Sequence, residues 1–261
     1  MIPTPTAAIM IVGNEILSGR TQDINTRFIA ERLALRGIKL AEVRVVRDED
    51  VAIIKAAREL GKEYSYVFST GGIGSTHDDI TAACIAKAFH TKLEINAEAK
   101  RRMGEYYASK GLEMNEGRLR MARIPVGATL IDNPVSIAPG FKIENIYVMA
   151  GVPNIMQAMF LCVEPTLAQG TPMLSNTVTC ALREGDIAIE MEAIQDTFPE
   201  VEIGSYPSMS GDSPHLSLVL RAPDEKPLKA ATEKIVAMVK RLSSEDPVVA
   251  YQRPPVQGTG S

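Results

Sequence analysis

A chain of 261 residues, 45% hydrophobic and 23% charged, carries enough apolar side chain for one large or two modest packed domains, and too much for a disordered chain. Its formal net charge of -4 argues against a nucleic-acid partner, because affinity for the phosphate backbone comes from clustered Lys and Arg. No apolar run reaches membrane-spanning length, the start MIPTPTAAIMIVG lacks a basic leader, and Cys84, Cys162 and Cys180 form no C-x-x-C pair and read as reduced thiols in apolar positions, so the chain is expected in the cytoplasm and off the membrane.

Ala7 to Val12 is an unbroken apolar run and predicts a buried strand. Asp23 to Arg36 has helical periodicity, with Ile24, Phe28 and Leu35 on one face and Gly37 as its stop. Leu40 to Val46 predicts a second strand, Asp50 to Gly61 a second helix and Tyr64 to Ser69 a third strand. A glycine-rich turn then leads into a helix over Asp78 to Phe89, and Ala97 to Lys110 predicts another. From Glu113 to Gly140, Pro125, Pro134 and Pro139 mark loops and short strands. Tyr147 to Met149 is a further strand, and Pro153 opens a helix running to about Ala168. Alternation of strand and helix implies parallel pairing with right-handed crossovers, hence an α/β domain over residues 1–170.

The rhythm breaks at Gln169-Gly170-Thr171-Pro172. Residues 171–250 read as strand (Thr177 to Leu182), helix (Glu184 to Thr197), strand (Val201 to Tyr206), strand (His215 to Arg221) and helix (Asp224 to Leu242). That order predicts a small α+β domain, ferredoxin-like or KH-like, without the G-x-x-G turn that KH-type RNA binding needs. Residues 251–261, rich in Pro, Gly and Gln, predict a flexible tail.

The chemistry concentrates in Gly71-Gly72-Ile73-Gly74-Ser75-Thr76-His77-Asp78-Asp79-Ile80-Thr81. Strand, glycine turn and helix start present backbone N–H groups to a phosphate, and Asp78 and Asp79 could hold a divalent cation beside it. The same residues also make a plain turn capped by Thr76 and Asp79. The run is neither G-x-G-x-x-G nor a Walker loop, since no Lys follows the last glycine, so metal is expected to neutralise the phosphate. On this reading a valine at Gly72 abolishes ligand binding and leaves the fold largely intact. Gly13-Asn14-Glu15 after the first strand and Asp48 after the second lie where open α/β sheets bind ligands, although loops are polar for simpler reasons too. Asn133-Pro134 through Ser136 to Ala138-Pro139-Gly140-Phe141 forms a turn-rich segment, and Ala150-Gly151-Val152-Pro153 a second strand-turn-helix start. His77 is the one histidine beside a candidate site, and the methionines, Met149, Met156 and Met159 among them, read as core fillers.

These four motifs, in this order over residues 5–170, resemble the MoaB/MogA molybdenum-cofactor biosynthesis family, and more closely the N-terminal domain of competence/damage-inducible CinA proteins. The resemblance extends weakly into the second domain, and the amidase domain of full-length CinA proteins is not expected here. It implies a three-layer α/β/α domain, usually oligomeric, that binds molybdopterin or an adenine nucleotide with Mg²⁺. MogA-type members adenylylate molybdopterin, a nucleotidyl transfer, and CinA-type members resemble metal-dependent pyrophosphatases acting on ADP-ribose. Carried onto this chain, Asp79 and Asp48 are the catalytic candidates, and Asp78, Asp79 and Glu15 the metal ligands. Gly71, Gly72, Gly74, Ser75, Thr76, Gly13, Asn14, Ser136, Pro139, Gly140, Gly151 and Pro153 are the ligand contacts. Ser75 stands where the CinA pattern has Pro, and Asp78 where MogA-type members have Arg, which favours a metal-bridged phosphate. Two readings follow: a binding protein for a phosphorylated pterin or nucleotide, or a Mg²⁺-dependent pyrophosphatase of ADP-ribose, FAD or related dinucleotides.

Overall fold

The computed structural model describes residues 4–210, 213–243 and 245–252. The chain divides into two compact units, Met1–Gly170 and Thr171–Ser261. The first contains, in order, β1 (Thr6–Val12), α1 (Asn14–Leu17), α2 (Asn25–Leu35), β2 (Lys39–Val46), α3 (Asp50–Glu63), β3 (Tyr66–Thr70), α4 (Thr81–Ala88), β4 (Leu93–Ile95), α5 (Ala97–Ser109), α6 (Glu116–Arg120), β5 (Arg123–Pro125), β6 (Thr129–Ile131), β7 (Gly140–Ile143), β8 (Ile146–Met149) and α7 (Pro153–Val163), closed by a 3-10 turn over Glu164–Thr166.

A six-stranded sheet runs β2-β1-β3-β8-β7-β6. The first four strands of that order are parallel, and β7 and β6 reverse in turn. Successive residues of a strand face opposite sides, so β1 feeds two cores at once. Ala8, Met10 and Val12 pack with Ile53, Ala57 and Leu60 of α3 and Cys84 and Ile85 of α4. Ala7, Ile9 and Ile11 pack with Ile29 and Leu33 of α2 and Met156, Met159 and Phe160 of α7. A strand covered on both sides needs an unbroken apolar run, and Ala7–Val12 supplies it. The result is the three-layer α/β/α domain with a mainly parallel sheet. From β1 the chain crosses to β2 on one side and returns to β3 on the other, so the sheet's switch point lies between β1 and β3.

Several local readings change. Asp23 accepts from the N–H groups of Asn25 and Thr26, so α2 starts at Asn25; its buried face is Asn25, Ile29 and Leu33, and Ile24 is 50% exposed. The helix after the glycine loop begins at Thr81 rather than Asp78, because the loop takes up residues 71–80. Pro165, without an N–H, stops α7 at Val163, where the sequence pattern ran to Ala168. Cys162 is exposed rather than set in an apolar position, while Cys84 and Cys180 are buried. β4, unrecognised in the sequence, pairs with β5, one of the short strands expected between Glu113 and Gly140, in a two-stranded ladder beside a small core of Ala99, Met103 and Ala122.

The second unit runs β9 (Leu174–Cys180), α8 (Glu184–Thr197), β10 (Glu202–Ser210), β11 (Ser213–Ala222), α9 (Glu225–Leu242) and β12 (Val248–Gln252). Its strands form an antiparallel sheet in the order β10-β11-β9-β12. Val178, Leu216, Leu218 and Leu220 meet Ile187 of α8 and Leu228, Ile235 and Met238 of α9. This is the ferredoxin-like arrangement of the two anticipated. β12 takes in Tyr251 and Gln252, which the sequence reading gave to the tail; the rest of that tail lies outside the described residues. Among the described residues no helix is long and apolar enough to cross a membrane.

Candidate ligand site at the glycine loop

The parallel strands β1, β2, β3 and β8 end together, and three of the four motifs, with Asp48, follow them. Gly13 follows β1 and donates to Val46 O at 3.2 Å, and the Asn14 N–H donates to Asp48 Oδ2 at 2.8 Å. These bonds tie the Gly13-Asn14-Glu15 motif to the end of β2 and to Asp48. Gly71, after β3, donates to Met149 O at 3.1 Å at the end of β8. Its φ of 97° is open to glycine, and a Cβ there would stand 2.2 Å from Val12 O. Gly151 lies against it, with its own Cβ position 3.3 Å from Gly71 Cα. Pro153 occupies the first turn of α7, as its missing N–H allows.

The loop is held open from within. Thr81 donates from its N–H to Gly72 O and from its hydroxyl to Gly71 O, both at 3.0 Å. Asp79 Oδ2 accepts from the Thr76 N–H at 2.8 Å and the Thr76 hydroxyl at 2.6 Å. The Thr76–Asp79 pairing is therefore present, but it staples the loop instead of capping α4, whose first residue lies beyond it. Among the described residues the N–H groups of Gly72, Ile73, Gly74 and Ser75 have no acceptor. Gly72 does not tolerate the valine that the sequence reading allowed: its φ is 70°, and a Cβ would lie 2.0 Å from the Oγ1 of fully buried Thr81.

A cleft of about 310 Å³ opens beside the loop, within the roughly 300–1,000 Å³ of small-molecule sites. Gly74, Thr76, His77 and Asp79 form one side of it, Arg120, Met121 and Arg123 another, and Pro139 and Phe141 a third. Of the anticipated contacts, Gly74, Thr76, Asp79 and Pro139 line this cleft. Gly13, Asn14, Glu15, Asp48, Gly71, Gly72, Gly151 and Pro153 cluster instead at or just beyond the strand ends behind the loop. Ser136 belongs to a turn organised by Asn133, whose Nδ2 donates to Ser136 Oγ at 2.7 Å and Ala138 O at 2.8 Å. Gly140 answers a packing need, since a Cβ would stand 2.2 Å from Val148 O in the neighbouring strand.

Asp78 points to solvent beside Thr76, and the nearby Thr76 hydroxyl, followed by Asp78's own backbone N–H, holds its carboxyl below the ordinary range. Among the described residues no three His, Cys, Asp or Glu side chains converge as a metal cage, so Glu15, Asp78 and Asp79 do not form one. The donor set fits a hard cation such as Mg²⁺, which commonly takes one or two carboxylates and completes its shell with water and ligand phosphate. Cys84 offers no nucleophile: burial, then its bond to Asp50, pushes the thiol up to about 12. Arg120 and Arg123 were missed in the sequence, where no motif marks them. Asn25 was missed too: it is 6% exposed, with its Nδ2 on Gly151 O at 2.8 Å.

Residues 8–169 match the family described as probable molybdopterin binding domain, and residues 172–247 match the middle domain of FAD synthase. A protein from Pyrobaculum calidifontis is 35% identical over 252 residues, covering 90% of this chain and 96% of that one. A protein from Pyrobaculum arsenaticum is 32% identical over 253 residues, covering 92% and 96%. The crystal structure of the protein CinA, of unknown function, from Thermoplasma acidophilum superposes with a TM-score of 0.58 at 33% identity, over 62% of this chain and 98% of that one.

Proposed function

We propose that this chain, which belongs to the probable molybdopterin-binding domain family, binds a phosphorylated pterin or adenine nucleotide together with Mg²⁺ at the glycine loop. The observation that carries the reading is the row of N–H groups from Gly72 to Ser75, which donate to no acceptor among the described residues, in a loop at the carboxyl end of β3 whose Ile73 and Gly74 line the cleft. Backbone donors in a glycine turn before a helix are a phosphate cradle. Asp78, ionised and exposed, with Asp79 beside it, would hold the cation against the phosphate, and the cation supplies charge neutralisation there. The protein works in this reading as a cytoplasmic homo-oligomer.

A second reading is hydrolysis of ADP-ribose, FAD or a related dinucleotide with Asp79 and Asp48 as catalytic residues. The match of residues 172–247 to an FAD synthase middle domain supports it, because that family's name ties the same chain to a dinucleotide. Calorimetric titration of the full chain with ADP and FAD, each with Mg²⁺, tests binding; no heat at millimolar ligand would sink the first reading. Incubation with Mg²⁺ or Mn²⁺ and ADP-ribose, FAD or NADH tests hydrolysis, with release of AMP as the expected signal.

A further inference from the structure

The wall that faces the glycine loop is built by the excursion between β4 and β5. This segment packs on its own core, in which Ala99, Met103 and Ala122 are fully buried. Asn115 caps α6 by accepting from the Arg118 N–H at 2.9 Å. Gly117 brings the helix against the loop, its Cβ position lying 3.5 Å from Ser75 O. α6 is thereby fixed in rotation. Arg118 lies over the Tyr107 ring at 4.5 Å, on the excursion's own side. Residues two apart on a helix point to opposite sides. Arg120 accordingly lines the cleft, and Arg123 joins it from the start of β5.

The two guanidinium groups differ from their neighbours. Arg101 and Arg102 hold Glu98, with Glu105 and Asp132 as further partners, and Arg118 holds Glu113 O. Among the described residues the side chains of Arg120 and Arg123 hold no carboxylate and no carbonyl. The titratable groups on the cleft are these two cations, His77 and Asp79, and Asp79 is occupied by Thr76. Unpaired arginines set across from a row of free backbone donors make a site that counts negative charge. Guanidinium groups pair with phosphate through two parallel bonds, and an exposed, unpaired one gives up no existing partner to do so.

We propose that Arg120 and Arg123 are specificity-determining residues that read the charge of the ligand's phosphate chain from the wall opposite the glycine loop, so that the cleft prefers ligands with more than one phosphate. The cationic charge that Asp78 denies the loop is supplied from β5 and α6. This rests on the loop being the ligand site.

The test titrates the full chain with ADP and with AMP, each with Mg²⁺, and compares wild type with Arg120→Gln, Arg123→Gln and the double variant. Each arginine is worth about ten-fold in affinity as a charge-assisted bond. The wild-type preference for ADP should fall about ten-fold in each single variant and approach unity in the double one, with AMP binding nearly unchanged. Arg123→Lys should recover part of it. Both side chains are exposed and unpaired, so thermal melting should not move. A preference for ADP that survives in the double variant overturns the inference and leaves the site standing. Equal binding of ADP and AMP by wild type does the same. Failure of wild type to bind either nucleotide overturns both.

Discussion

Asp79→Asn separates the two roles open to this carboxylate. In the structure, Asp79 Oδ2 accepts from both the N–H and the hydroxyl of Thr76. An amide oxygen can keep the first bond, but the bond loses its charge. Bonds to a charged acceptor contribute about 1.5–3 kcal/mol and neutral ones about 0.5–1.5, so the pair loses about 2 kcal/mol. Asp79 is partly exposed, and solvent screening reduces this to about 1 kcal/mol. Because α4 starts at Thr81, little helix-dipole energy adds to it. A loss of that size lowers Tm by about 2–4 °C in a unit of this length. If Asp79 also faces the metal-bound phosphate, Mg²⁺-dependent binding or turnover falls about 10²-fold or more. Calorimetric melting and Mg²⁺ titration of the same sample give both numbers. Thr76→Val is the control for stability: it removes one of the two bonds, keeps the charge, and should melt like Asp79→Asn; because Thr76 also lines the cleft, only its melting is compared. If Asp79→Asn melts lower yet behaves normally with Mg²⁺, Asp79 is a loop staple and nothing more.

Two other outcomes follow from the geometry. Gly72→Ala combines a left-handed backbone, about 1–2 kcal/mol, with overpacking against Thr81, about 1–3 kcal/mol, so Tm should drop on the order of 10 °C; an unchanged melt would refute the contact. Glu98 has its carboxyl lowered from 4.5 to about 2 by hydrogen bonds from Arg101 and then Arg102. A depressed folded value means that its contribution is complete above about 4.5 and disappears as pH falls towards 2, so urea midpoints should decline over that window and Glu98→Gln should flatten the decline. An identical pH profile in the variant would show that other carboxylates, such as Asp50 with its Lys87 partner, govern it.

Where a segment's own pattern decides its structure, the sequence was sufficient. β1 is buried on both faces and is written as an unbroken apolar run; α8 spans Glu184–Thr197, its anticipated limits. The start of α4 was misplaced because Thr76 and Asp79 do form half of a capping box, and only the positive φ of Gly71 and Gly72 reveals a loop that uses the pair for itself. β4 and β12 are short edge strands whose existence depends on a distant partner, β5 and β9. Arg120 and Arg123 had no spacing to betray them. Their placement depends on Gly117 meeting Ser75, a contact 42 residues apart in the chain that no local pattern encodes.

The cleft is made of two different materials, and they differ in how freely they can change. The loop that borders it is anchored through main chain: Gly71 and Gly72, at its base, are fixed by a left-handed φ and by the atoms of Val12 and Thr81, so drift there damages folding before it alters recognition. The cleft's far wall is made of exposed side chains on an excursion with a core of its own. Substitution on that wall leaves the sheet and both main cores untouched. A scaffold partitioned in this way can be retuned from one anionic ligand to another by single codon changes at positions such as 120 and 123, while the grip on phosphate stays where the backbone put it.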